Sequence, residues 1–238
     1  MRITPEHIIF EDRILLIANK PAGMPSSATL KKEQMHFYGA LQKYLELREG
    51  RATYLAIHHR LDQDTSGLLL FCKKRSFNKA VSDLFLHKKI HKTYVALAHL
   101  ENEILPSMVK NFLRRSKKSP MVMESCKAQD QGQSAETHFH LLAQHEKMAL
   151  ISAQPMTGRM HQIRVHLSEL RAPVIGDAIY GKDKGLPHLF LHAWKLQFPH
   201  PETEVLMTVQ VPPPEYFRQE AQRLFGPQII HHLFCCCN

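Results

Sequence analysis

The stretch His58-His59-Arg60-Leu61-Asp62-Gln63-Asp64-Thr65-Ser66-Gly67-Leu68-Leu69-Leu70-Phe71-Cys72-Lys73-Lys74 constrains the fold more than any other part of the chain. Imidazoles, a guanidinium and two carboxylates crowd into a short polar loop, a glycine breaks it, and an apolar run follows that ends in lysines. A run as short as residues 68–72, flanked by turn residues, reads as a buried strand rather than a helix. Polar groups gathered at the mouth of a buried strand mark a candidate site.

At 238 residues the chain can form one large domain or two small ones, and a chain of this size buries roughly three quarters of its unfolded surface. Basic residues exceed acidic ones by nine and the pI is about 9.4. Such a balance fits a polyanionic partner, because phosphate contacts release counterions; a merely solvated basic surface is the alternative. The five cysteines include no spaced CxxC pairs, which argues against a disulfide framework or zinc ribbon and for a reducing compartment. With no apolar signal region and no apolar run of membrane-spanning length, the expected setting is cytoplasmic, with no membrane partner.

Upstream of the central stretch, residues 8–10 and 14–18 are apolar runs separated by Glu11-Asp12-Arg13, the pattern of a strand, a turn and a strand. Asn19-Lys20-Pro21-Ala22-Gly23-Met24-Pro25 then reads as a loop, since two prolines and a glycine continue neither element. Phe37, Leu41, Tyr44 and Leu45 recur at helical spacing over 37–48, and Gly50 ends the pattern. After the central strand, Ser76 reads as the cap of a helix with an apolar stripe of Phe77, Ala80, Val81, Leu84 and Phe85.

Residues 92–98, 135–142, 148–153, 189–198 and 205–211 have strand composition, and 214–225 reads as a last helix. Residues 99–133 carry mixed charge and little periodicity; within them Arg114-Arg115-Ser116-Lys117-Lys118 is a solvated loop or an RNA contact. Thr157-Gly158-Arg159 opens a predicted helix with Met160, Ile163, Leu167 and Leu170 on its apolar face and His161, Arg164 and Ser168 on the neighbouring one. Strands outnumber helices and lie close enough for antiparallel pairing. The expected class is therefore α+β, a large mixed and mainly antiparallel sheet with flanking helices. The expected division is a single catalytic domain over 1–225 and a flexible tail over 226–238.

Asp62 and Asp64 share one face of an extended loop, so only one need act chemically. Asp64, beside Thr65 and Ser66, fits a carboxylate that braces the turn. Asp62, next to Arg60 and Leu61, is the candidate for chemistry. A nucleophilic carboxylate must stay ionised in a partly desolvated pocket, and a nearby arginine is the usual means; Arg60 and Arg164 are candidates. The seventeen histidines raise a metal-hydrolase alternative built on His58, His59, Asp62, Asp64, His161 and His166. Against it, His161 and His166 are five apart, which turns them to different sides of a helix. Tyr94 is either a core aromatic or a ring that stacks on a nucleobase. Thr157-Gly158-Arg159 is either ordinary capping or a phosphate site made of backbone amides.

His59-Arg60-Leu61-Asp62-Gln63-Asp64-Thr65-Ser66-Gly67-Leu68-Leu69-Leu70-Phe71 resembles the signature of the RluA family of pseudouridine synthases. Other blocks of that family occur in order: Ile9-Phe10-Glu11-Asp12 with Asn19-Lys20-Pro21-Ala22-Gly23, Lys92-Thr93-Tyr94-Val95-Ala96, Thr157-Gly158-Arg159-Met160-His161-Gln162-Ile163-Arg164-Val165-His166-Leu167, Gly176-Asp177 with Tyr180-Gly181, and Leu191-His192-Ala193. The resemblance spans about residues 8–213.

It implies the pseudouridine synthase fold and isomerisation of uridine to pseudouridine in a stem-loop of tRNA or ribosomal RNA. Asp62 would be the nucleophile, Arg164 its charge partner, and Tyr94 a ring that stacks on the base and assists proton removal. His59, Arg60, Thr65, Arg159, His161 and Gln162 would contact the substrate. No cofactor, no metal and no obligatory protein partner is implied, and a monomer is expected. Cys72 and Ala172-Pro173 depart from the family pattern, the latter where RNA contacts are common. No accessory RNA-binding domain is expected before residue 8, and the Cys235-Cys236-Cys237-Asn238 end does not fit a prenylation signal.

Overall fold

The structure is a computed structural model that describes residues 3–28, 35–101, 105–182 and 185–234. In chain order its strands are β1 (Ile8–Glu11), β2 (Leu15–Lys20), β3 (Ala56–Ile57), β4 (Ser66–Cys72), β5 (His91–His99), β6 (Met108–Arg115), β7 (Met123–Cys126), β8 (Gln133–His145), β9 (Met148–Pro155), β10 (Leu191–Pro199) and β11 (Leu206–Gln210). The helices are α1 (Phe37–Glu49), α2 (Asn78–Leu86), α3 (Gln162–Glu169), α4 (Glu215–Phe225) and α5 (Pro227–Phe234). The α+β class is as expected. Within it the chain forms two compact units, Met1–His91 with Ala193–Val211, and Lys92–His192 with Pro212–Asn238.

In the first unit β4 pairs antiparallel with β2, from Leu15 opposite Cys72 to Lys20 opposite Gly67. All seven residues of β4 are buried, as expected for an apolar run with a strand on either side; the local order is β1-β2-β4-β10. Ile14, Leu15, Ile17, Leu68, Leu70, Val81, Leu196 and Phe198 share one core cluster, and burying each large aliphatic side chain is worth about 1.5–3 kcal/mol. Asp12 shapes the β1–β2 turn: its Oδ1 accepts the N–H groups of Ile14 (2.7 Å) and Leu15 (2.6 Å).

Three sequence expectations meet the structure here. Helix α1 starts at Phe37 and stops at Gly50, whose φ of +67° suits a residue without a Cβ. Ser76 is not a cap. Residues Arg75–Phe77 form a 3-10 turn, closed by Phe77 N–H on Lys74 O (2.9 Å), and α2 follows with Phe77 at its N-cap and no side-chain cap bond. The stripe itself stands, with Val81 buried and Phe77, Leu84 and Phe85 packed on the core. Asn19 and Lys20 belong to β2 rather than to the following loop, because the ladder with β4 runs on to Gly67.

The second unit orders its strands β5-β9-β8-β6-β7, with antiparallel registers throughout. The β8–β9 hairpin turns at Glu146, φ +50°, in the expected place. Strands β6 and β7 fall where the sequence shows little pattern. β6 keeps only Leu113 fully buried and β7 only Met123, so neither carries the apolar alternation of a strand with one face in the core.

Helix α3 begins at Gln162, later than expected. His161 is its N-cap in the left-handed region at φ +53° and is not on the helix face with Arg164. Helix α4 starts after Pro214 as expected and ends at Gly226. Within the segment expected to be a tail, α5 buries Ile230 and Phe234, two apolar side chains one helical turn apart. Cys235-Cys236-Cys237 lies outside the described residues.

Gly67 carries the tightest backbone constraint of the first unit. Its φ is +118°, and a Cβ there would stand 2.6 Å from Ala193 N and 2.7 Å from Ala193 C. Both strain and overlap oppose a side chain, so Gly67→Ala is expected to cost about 3 kcal/mol or more of stability. Urea unfolding checks this; an unchanged midpoint would refute the close approach.

Candidate active site

The loop that carries Asp62 in the first unit is fixed through its backbone. Ser26 Oγ donates to Leu61 O (2.7 Å) and accepts from Leu61 N–H (2.9 Å), clamping the residue just before Asp62 on both of its peptide groups. Thr65 N–H donates to Asp62 O (3.2 Å) and closes the turn after it. His59 Nε2 accepts the N–H of Leu70 on β4 (2.9 Å), so its proton sits on Nδ1. His58 Nε2 meets Asn78 Oδ1 at 3.0 Å, and burial lowers the His58 pKa, with the Asn78 bond opposing.

Asp62 is partly exposed, and Arg60 and Asp64 are exposed. Asp64 does not brace the turn: its carboxylate makes no hydrogen bond among the described residues, and the backbone bond above does that work. Thr65, expected at the substrate, is 2% exposed, and its buried hydroxyl has no hydrogen-bond partner among the described residues.

Lys20 is the residue that the sequence reading missed. Its side chain is fully buried, and Nζ donates to Pro21 O (2.8 Å), Met24 O (2.8 Å) and Gln63 O (2.9 Å). One ammonium thus ties the 21–24 loop to the peptide between Asp62 and Asp64. Burial pulls its pKa down to about 7, against the fields of Asp64 and Asp62 that favour the charge. The available signal was a lysine closing an apolar strand immediately before proline, where exposure would be the ordinary outcome.

In the second unit Arg164 on α3 makes a bidentate pair with Asp177, Nε to Oδ2 and Nη2 to Oδ1, both 2.7 Å. Asp177 Oδ1 also accepts the N–H groups of Ile179 (2.9 Å) and Tyr180 (3.0 Å). Burial alone would raise the Asp177 pKa, but Arg164 and these amides outweigh it and hold the carboxyl below its ordinary value. The Arg164 guanidinium lies 5.3 Å over the Tyr180 ring. Tyr180 OH accepts Met123 N–H (2.7 Å) and meets His161 Nδ1 at 2.9 Å.

A second network runs through Gln162. Its Oε1 accepts from Thr157 Oγ1 (2.7 Å) and Arg159 N–H (3.0 Å), and its Nε2 donates to Glu136 O and Thr137 Oγ1, both 2.9 Å. Every hydrogen-bonding position of that amide is used, and Gln162 is 4% exposed. It builds the corner before α3 and has no group left for a ligand. The Arg159 amide, expected at a phosphate, is likewise taken. Thr137 passes the chain to His166 Nδ1, and His166 Nε2 meets Asn111 Oδ1, both 2.9 Å. Burial lowers the His166 pKa to about 4, and with both nitrogens engaged it is a neutral structural imidazole. Among the described residues no three His, Cys, Asp or Glu side chains converge as metal ligands would. Tyr94 lies on β5 opposite Ala153 and is 9% exposed.

The structure therefore gathers His59, Arg60, Asp62 and Thr65 in one unit, and Tyr94, Arg159, His161, Gln162 and Arg164 in the other. Residues 14–169, which carry the Asp62 loop, Tyr94 and Arg164, match the profile of the RNA pseudouridylate synthase family. The chain belongs to that family.

Over 221 residues it is 35% identical to the ribosomal large subunit pseudouridine synthase C of Haemophilus ducreyi, covering 87% of this chain and 65% of that one. Over 231 residues it is 34% identical to the uncharacterized RNA pseudouridine synthase YhcT of Bacillus subtilis, covering 94% and 75%. The solved structure of human RNA pseudouridylate synthase domain containing 4 superposes with a TM-score of 0.75 at 25% identity, covering 91% of this chain and 92% of that one. The chain thus spans about two thirds of the length of the first of these relatives.

Two predictions follow from the buried charges of this family member. Lys20→Met leaves three carbonyls without a donor and is expected to cost about 2–4 kcal/mol in urea unfolding; no loss would refute the clamp. Because the folded pKa of Asp177 lies below 3.8, its pairing stabilises the fold above about pH 4 and is lost as pH falls through the folded value. Asp177→Asn is expected to cost about 3 kcal/mol or more at pH 7 and to bring a shallower further loss toward pH 3. Parallel unfolding curves for both proteins across that range would refute it.

Proposed function

We propose that this chain is an RNA pseudouridine synthase that isomerises uridine to pseudouridine in a structured stem-loop of ribosomal RNA, or of tRNA, with Asp62 as the nucleophile. The observation that carries the reading is the family match over residues 14–169, which includes the Asp62 loop. The relatives named for the ribosomal large subunit favour ribosomal RNA, and the net charge of +9 suits a polyanion.

On this reading the bond from uracil N1 to the ribose breaks, the base turns, and a bond forms from carbon 5 to the same ribose carbon while carbon 5 releases its proton. Atoms and electrons balance within the substrate, so the reaction calls for no redox cofactor. Asp62 supplies the carboxylate, with its backbone held on either side by Ser26 and by the Thr65 turn bond. Tyr94 supplies the ring that stacks on the base and helps remove the carbon 5 proton, and Arg164 supplies the compensating charge. Exposed Arg60 holds the place of the nucleotide drawn from its stack, a displacement that costs a few kcal/mol. His59 and His161 act through the positions of the loop and the corner, and Thr65 and Gln162 serve the fold beneath them. The protein works as a cytoplasmic monomer.

Incubation with ribosomal RNA and tRNA carrying tritium at uridine carbon 5 is expected to release tritium. Asp62→Asn is expected to lower that release at least roughly a thousandfold while RNA affinity stays near wild type. Full activity in the variant would remove Asp62 from the chemistry, and no release from any RNA would remove the isomerase reading.

A further inference from the structure

Lys92 opens the second unit and belongs to none of the networks above. It is partly buried, and burial, with no opposing charge or bond, lowers its pKa. Among the described residues its ammonium has neither a carbonyl acceptor nor a carboxylate. A desolvated cation without a partner is costly, and here its surroundings are also basic. A Cβ built on Gly158 would stand 3.8 Å from Lys92 Nζ, so the ammonium lies against the bare backbone of the corner before α3.

The next residue is Arg159. Its Nε donates to Ser134 O (3.0 Å), and its remaining guanidinium N–H groups have no acceptor among the described residues. The Gly158 N–H is likewise without an acceptor there. One cation thus lies against a free amide, with Arg159 next in the chain, and among the described residues no anion is bonded to any of the three. β5 pairs with β9 so that its start lies beside the end of β9, which leads directly into this corner. By strand alternation Lys92 also shares a face of β5 with Tyr94.

We infer that Lys92, with Gly158 and Arg159, forms a subsite for a phosphodiester of the RNA strand whose base reaches Tyr94. The assignment rests on the RNA-modifying reading above. Desolvation leaves the ammonium ready to be matched by a phosphate oxygen, and the missing Cβ of Gly158 lets the phosphate approach the amide. Arg159 offers the paired N–H groups that suit phosphate geometry. The corner amide that Gln162 occupies is not part of the site.

The test compares wild type, Lys92→Met and Lys92→Arg for binding to a single-stranded oligouridylate and to ribosomal RNA across a salt series. Thermal melting of each protein is measured alongside. Lys92→Met is expected to bind about tenfold more weakly near 0.1 M salt, with the slope of log affinity against log salt shallower by roughly 0.7–0.9, one phosphate's worth. Its melting point is expected to match or exceed wild type, because an unmatched buried charge is gone, and Lys92→Arg should keep the wild-type slope.

Equal affinity and slope in Lys92→Met would overturn the subsite. So would a lower melting point with unchanged binding, which would make Lys92 a support of the fold. Stabilisation of wild type by millimolar inorganic phosphate, without any effect of Lys92→Met on RNA binding, would make it a free-anion site and overturn it too. Because binding is the readout, a Lys92 effect without tritium release would remove the isomerase reading and keep the phosphate contact.

Discussion

A guanidinium and a carboxylate withdrawn together from water must satisfy one another, and in the second unit Arg164 and Asp177 do so. Desolvating such a pair cancels much of its Coulombic gain, so its contribution lies less in net stability than in geometry. Both ends are already committed to local structure. Arg164 sits on α3, and Asp177 accepts two amides of its own turn. The pair therefore fixes the turn against the helix, and Tyr180, carried by that turn, extends the order to His161 and to the edge strand β7 through its hydroxyl.

The first unit reaches a comparable order by different means. Around Asp62 the fixed groups are peptides, and the side chains that fix them come from elsewhere: Ser26 from the loop after β2, Lys20 from β2 itself, and His59 back onto β4. A loop held by its main chain can present a carboxylate in one place without enclosing it. That suits the proposed role of Asp62, since the side chain stays partly open while its backbone is hydrogen-bonded on either side.

These differences explain what the sequence made legible. The β4 run, helices α1 and α4 and the β8–β9 hairpin follow from composition, period and turn residues, all local properties. The choice of Asp62 over Asp64 as the proposed nucleophile rests on the local residues and on matching the family blocks residue by residue. The bond that closes the turn, by contrast, is between main-chain groups that no side-chain pattern announces. Lys20 reads as an ordinary charged residue before proline, and its burial depends on three carbonyls contributed by segments up to 43 residues away. The late start of α3 goes with the Gln162 amide reaching back to Thr157 and Arg159, a use of a side chain that no local pattern announces. Strands β6 and β7 were unreadable because they bury too little to need a pattern.

The Lys20 clamp has one further consequence. All three of its acceptors are carbonyl oxygens, a group that every amino acid carries. Gln63 is exposed and contributes nothing to the clamp except its peptide, so its side chain can be exchanged without disturbing the hold on the Asp62 loop. The position beside the candidate nucleophile therefore tolerates any side chain as far as the clamp is concerned, while Lys20, whose own ammonium makes all three bonds, does not.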